Sequence, residues 1–96
     1  MSRVNQLYEH LRALQWPKLA RGIGDFALYE SLLAGVASRA VNGETVDVSE
    51  LPELDATSRE QIEQILQKGM RSPEEEQFLE YFKATENLRQ ELACRK

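Results

Sequence analysis

Residues Phe26 to Val41, FALYESLLAGVASRAV, carry only two charged side chains, Glu30 and Arg39, and this segment constrains the fold more than any other. Asp25 stands where a helix N-cap belongs. Asn42-Gly43 is a helix stop, because glycine accepts the left-handed backbone there. One face holds Phe26, Tyr29, Leu32, Leu33, Val36 and Ala40. The opposite face holds Ala27, Ser31, Ala34, Gly35 and Ser38. A helix with so little polar bulk on any side is surrounded by protein. The segment from Asp25 to Val41 is therefore expected to form the central helix of an all-α fold.

Three more helices supply the surroundings. Val4, Leu7, Leu11 and Leu14, with Tyr8 alongside, recur at helical spacing and predict a first helix from Arg3 to Gln15. Ser2 caps it, and Trp16-Pro17 ends it, since the residue before proline is pushed out of the α region. A third helix is expected from Ser58 to Lys68, with Thr57 and Glu60 as a capping box, Gly69 as its stop, and Ile62, Ile65 and Leu66 facing inward. A fourth is expected from Pro73 to Arg95. Ser72 caps it, Glu75 completes the box, and Phe78, Tyr81, Phe82, Thr85, Leu88 and Leu92 form its stripe. At about 33 Å it is the longest of the four.

The stretch GETVDVSELPELD, 43 to 55, contains Pro52 and reads as an extended strap pinned by Val46, Val48, Leu51 and Leu54. A short strand there is open on sequence grounds, but it lacks an obvious pairing partner. The fold class is thus all-α: a compact four-helix arrangement with a long extended connection between helices 2 and 3. The whole chain, 1–96, reads as a single helical domain.

The bulk numbers agree with a folded, soluble chain. Of 96 residues, 42% are hydrophobic and 29% charged, which separates the chain from disordered sequences. Its one cysteine, Cys94, excludes an internal disulfide. The N-terminal MSRVNQLYEHLR lacks the apolar run of a signal peptide, and Phe26–Val41 is too short to span a bilayer. A cytoplasmic location is expected. The net charge of −4 is uneven: residues 1–40 hold five Lys/Arg against three Asp/Glu, and residues 41–96 hold seven against thirteen. Five acids and no base lie between Glu44 and Asp55. Such a surface repels nucleic acid and membrane phosphate. It suits a basic protein partner, or simply keeps a small domain soluble.

Several stretches invite a chemical reading. In ARGIGDF, residues 20–26, two glycines precede a helix, and backbone amides at such a place attract phosphate. The fragment follows a helix rather than a strand, however, and lacks the Lys-Ser/Thr pair of a P-loop. It is expected to be a flexible connector with Asp25 as cap. Glu74, Glu75 and Glu76 point about 100° apart on a helix, so they do not converge on a metal and instead complement the helix dipole. His10 and Cys94 are far apart, the first at a stripe border and half-buried, the second exposed. Nothing pairs a nucleophile with a base. Helix 3, GMRS and helix 4 have the outline of a helix-turn-helix, but SPEEEQ would bring three negative charges to phosphate.

Two surfaces remain. The small residues Ala27, Ser31, Ala34, Gly35 and Ser38 let a second backbone come close. Helix 1 or helix 4 of the same chain is expected to pack there, the alternative being a partner interface. On helix 4, Tyr81, Leu88 and Leu92 lie on one flank whose far end outruns the expected core, so a homodimer is expected to cover it, unless helix 1 reaches along helix 4 and does so. The expectation is a small cytosolic, non-enzymatic protein-binding module (adaptor, regulator or inhibitor). It uses no cofactor or metal, binds no nucleic acid or membrane, and self-associates as a homodimer. The alternatives are an acidic nucleic-acid mimic, a structural subunit of a larger complex, and a small-molecule-binding domain with a pocket lined by Trp16, Tyr29 and Phe82.

Overall fold

The computed structural model describes residues 3–94. The chain forms four α-helices: α1 (Arg3–Ala13), α2 (Phe26–Val41), α3 (Ala56–Leu66) and α4 (Pro73–Cys94). Two 3-10 turns, Lys18–Gly22 and Val48–Glu50, complete the secondary structure, and the described residues contain no strand. The all-α class read from the sequence is the class observed. The expected Ser2 cap and the end of helix 4 at Arg95 lie outside the described residues.

The hub is α4 rather than α2. The first helix, the first 3-10 turn and α2 all pack on α4. Its buried arc takes in Phe78, Tyr81, Thr85, Leu88 and Leu92, and also Leu79 and Ala84 from outside the expected stripe. Thr85 sits in this arc without an orphaned hydroxyl, because Oγ1 donates to the Phe82 carbonyl at 2.7 Å. Its cap is as expected: Ser72 N–H donates to Glu75 at 2.8 Å and Glu75 N–H donates to Ser72 Oγ at 3.2 Å.

Phe26, fully buried, anchors α2 to α4. Its ring lies 5.1 Å from Phe78, 5.8 Å from Tyr29, 6.1 Å from Trp16 and 6.3 Å from Phe82, centroid to centroid. Burying one such ring contributes about 1.5–3 kcal/mol before any aromatic geometry is counted. Tyr29 thus packs beside Phe26 in the core, with Trp16 and Phe82 half-buried against it.

The end of α1 shares a cleft with the start of α4, where Ala13, Leu14 and Gln15 meet Gln77, Glu80 and Tyr81. Since α1 packs along α4, it must run antiparallel to it. Its 11 residues span about 16 Å, enough to reach the far turns of α4.

The strap differs from its expected form. It is extended only in part, and Asp47 and Glu50 close a capping box around a 3-10 turn: Ser49 N–H donates to Asp47 at 3.2 Å and Asp47 N–H to Glu50 at 2.9 Å. Leu51 is buried, Val46 and Leu54 are half-buried, and Val48 is 53% exposed because the turn rotates it outward. Helix α3 begins earlier than expected, at Ala56. Its N-cap is Asp55, which accepts from Ser58 N–H, and not the Thr57/Glu60 box. Gly43 has the expected positive φ of 91°, whereas Gly69 has none and does not terminate α3. The α3 end is capped instead by Arg71, which donates to the Ile65 and Leu66 carbonyls at 3.1 and 3.0 Å.

Candidate functional site

The glycine loop packs closely against the chain's own Ser58 and Asp55. Gly24 has φ 38°, and a Cβ there would collide with Ser58 Oγ and come within 3.0 Å of Asp55 Oδ2. The Asp55 carboxylate accepts from Ser58 N–H at 3.2 Å and from Ser58 Oγ. These donors, the Ser58 hydroxyl foremost, hold its carboxyl below the usual carboxylate range. Gln61 Nε2 donates to the Gly22 carbonyl at 3.2 Å, and Ser58 Oγ lies 3.4 Å from the Ile23 carbonyl. The segment expected to be a flexible connector is therefore pinned to the start of α3. Asp25 sits at the N-cap position of α2, yet its side chain makes no capping hydrogen bond.

Internal contacts also account for the acids of the strap. Glu44 and Glu50 approach Arg39 at 3.7 and 2.8 Å, Glu53 approaches Arg89 at 4.0 Å, and Asp47 and Asp55 cap the second 3-10 turn and α3. This arrangement does not favour the reading of residues 44–55 as a row of phosphate-like charges. Of the three glutamates opening α4, Glu75 pairs with Lys68 at 2.6 Å and Glu76 approaches Arg71 at 3.7 Å. His10, expected at a half-buried border, is exposed, as is Cys94. Among the described residues no group of three or more His, Cys, Asp or Glu side chains could hold a metal ion.

The outer face of α2 is open. Neither α1 nor α4 packs over it, contrary to expectation: Ala27, Ser31 and Gly35 are exposed, and Ala34 and Ser38 are half-buried at its edge. Leu32, assigned from the sequence to the inner stripe, is 51% exposed, and Leu28 is 59% exposed. The reason is the thickness of the molecule. Its smallest dimension is 19 Å, about two helix diameters, so α2 lies in an outer layer with only one face against α4 and α1. Leu28 belonged to neither face in the sequence reading. Its signal was present, since Leu28, Leu32, Gly35 and Arg39 recur at helical spacing, but assigning Leu32 inward concealed it.

The second expected surface is closed. Tyr81, Leu88 and Leu92 are 6%, 0% and 3% exposed and belong to the chain's own core. The chain's own core, to which α1 contributes Val4 and Leu11, closes the flank that the length of helix 4 alone suggested was bare. Tyr81 also donates its hydroxyl to Glu30 at 3.1 Å, which ties α4 to α2. Met70 in the α3–α4 turn is 91% exposed, and Leu66 at the end of α3 is 44% exposed.

These features define an all-α, four-helix fold with an open, largely apolar face on α2. Compared with protein-family models, with curated proteins and with solved structures, the chain matches none. No helix among the described residues is long and apolar enough to cross a membrane.

Proposed function

We propose that the chain is a non-enzymatic protein-binding module that works through the outer face of α2, and that a second copy of the chain occupies this face. The carrying observation is the pair Leu28 and Leu32, more than half exposed and one helical turn apart, beside the gap left by Gly35. Apolar side chains at adjoining turns of one face mark an interaction site, where a single exposed leucine does not.

The face is complementary to itself. From its start it reads Asp25, Leu28, Leu32, Gly35 and Arg39, with Ser31 beside Leu32. In a twofold, antiparallel pairing centred between Ser31 and Leu32, Leu28 of each copy falls over Gly35 of the other, Leu32 over Ser31, and Asp25 within one residue of Arg39. Large side chains then fill gaps left by small ones, which lets the two helices approach closely. Arg39 already holds Glu50 and Glu44, so the end contacts with Asp25 fix register more than they add affinity. The single cysteine fits a reducing compartment, and we place the module in the cytoplasm.

Sedimentation equilibrium over a wide concentration range tests this. The chain should form a dimer that Leu28→Glu with Leu32→Glu returns to 11.0 kDa while the helical circular dichroism is kept. A natural chain that stays at 11.0 kDa at the highest concentration overturns the proposal. A dimer indifferent to the double substitution also overturns it, by putting the interface elsewhere.

A further inference from the structure

On the inner side of α2 a different feature stands apart from the docking face. Tyr29 is 3% exposed, and its hydroxyl is buried with no hydrogen-bond partner among the described residues. It lines a cleft of about 280 Å³ together with Glu53, Leu54, Arg59, Glu86 and Arg89. Buried hydroxyls are nearly always paired, so an orphan on the wall of a cleft is a place where a ligand atom fits. The volume is just below the roughly 300–1,000 Å³ of common small-molecule pockets, which points to a ligand of few atoms.

The cleft is lined by two arginines and two glutamates, of which Glu53 lies 4.0 Å from Arg89. Arg89 is fixed by its Nε, which donates to the Pro52 carbonyl at 2.9 Å, and Arg59 reaches the Leu54 carbonyl at 3.5 Å. Glu86 makes no hydrogen bond or close ion pair among the described residues, although both guanidiniums act on it through space. Burial pushes its carboxyl above the usual carboxylate range, against the opposing pull of Arg89 and Arg59. A simple anion in the cleft would face Glu86 and Glu53. A simple cation would face two guanidiniums. A molecule bearing both charges answers both walls.

We infer that this cleft binds a small zwitterion of the free α-amino acid class, with its carboxylate on Arg59, Arg89 and the Tyr29 hydroxyl and its ammonium on Glu86. The guanidinium forks match a carboxylate, and Tyr29, donating, supplies the further hydrogen bond that its buried position otherwise wastes. The ammonium gives Glu86 the partner that the fold does not.

The test is titration of the full chain with each of the common α-amino acids in turn, followed by amide NMR shifts. Acetate and methylamine serve as half-ligand controls. At least one amino acid should saturate, with shifts concentrated at Tyr29, Arg59, Glu86 and Arg89, and should bind at least tenfold more tightly than either control. Tyr29→Phe and Glu86→Gln should each weaken binding about tenfold. The unliganded Tyr29→Phe protein should melt no lower than the natural chain, since the lost hydroxyl had no partner. Three results each overturn the inference: no amino acid producing saturable shifts, acetate alone reproducing them at equal affinity, or both variants binding like the natural chain.

Discussion

Gly24 and Ser58 touch across the junction between the glycine loop and α3, so closely that a Cβ on Gly24 would come within 2.9 Å of the Ser58 backbone nitrogen. The contact joins two demands at one residue, a positive φ of 38° and the absence of a side chain. Gly24→Ala should therefore cost about 2–4 kcal/mol, combining the left-handed backbone penalty with overpacking. Gly22→Ala, two residues away with nothing within 4 Å of the added Cβ, should change stability by under ~0.5 kcal/mol. Urea unfolding of the two variants checks the contrast, and equal losses would show that the loop is not pinned through Gly24.

Asp55 should govern part of the acid sensitivity. Its folded carboxyl is held below the ordinary range, so its contribution is present above the unfolded value of about 4 and lost as pH falls through the folded one. Asp55→Asn should lower the melting temperature at neutral pH and flatten its dependence on pH below about 4. A variant whose melting profile parallels that of the natural chain throughout would remove Asp55 from this role.

Leu33 and Leu32 are neighbours in sequence with opposite environments, 0% and 51% exposed. Leu33→Ala should cost about 2–5 kcal/mol, and Leu32→Ala under ~1 kcal/mol when measured at a protein concentration too low for association. On α4, Leu88→Glu should unfold the chain outright, because Leu88 is completely buried. Circular dichroism melts of the three proteins rank them, and a folded Leu88→Glu would place that residue outside the core.

The two buried tyrosines should make the fold sensitive to alkali. Burial, reinforced by the nearby Glu86, pushes the Tyr29 phenol up to about 12. Burial and the Glu30 carboxylate, which accepts the hydroxyl, raise Tyr81 as well. A raised folded value means that the stabilisation is fully present below about pH 10, the unfolded value. It disappears as pH climbs towards the folded one. Urea midpoints should hold until about pH 10 and then fall. Tyr29→Phe should reduce that fall, and a variant with the same alkaline slope would contradict the assignment.

The local rules of helix formation were legible in the sequence. Phe26–Val41 with its Asn42-Gly43 stop, and the Ser72/Glu75 box opening α4, depend on residues within a turn or two of each other, and the structure has both where the sequence put them. Local rules failed at α3, where Asp55 rather than Thr57 caps the helix and its carboxylate accepts from both the backbone N–H and the hydroxyl of Ser58. Periodicity showed which residues share a face, but not how wide an arc a neighbour covers. That is why Leu32 proved open and Leu92 closed. The Tyr29 cleft was beyond reach for the same reason. Tyr29, Arg59 and Arg89 lie on three different helices, and their proximity follows only from how α2, α3 and α4 pack. The sequence determined the helices and their ends through short-range hydrogen bonding and backbone sterics. Tertiary packing alone decided which faces were buried, because burial depends on what a distant segment brings to the surface.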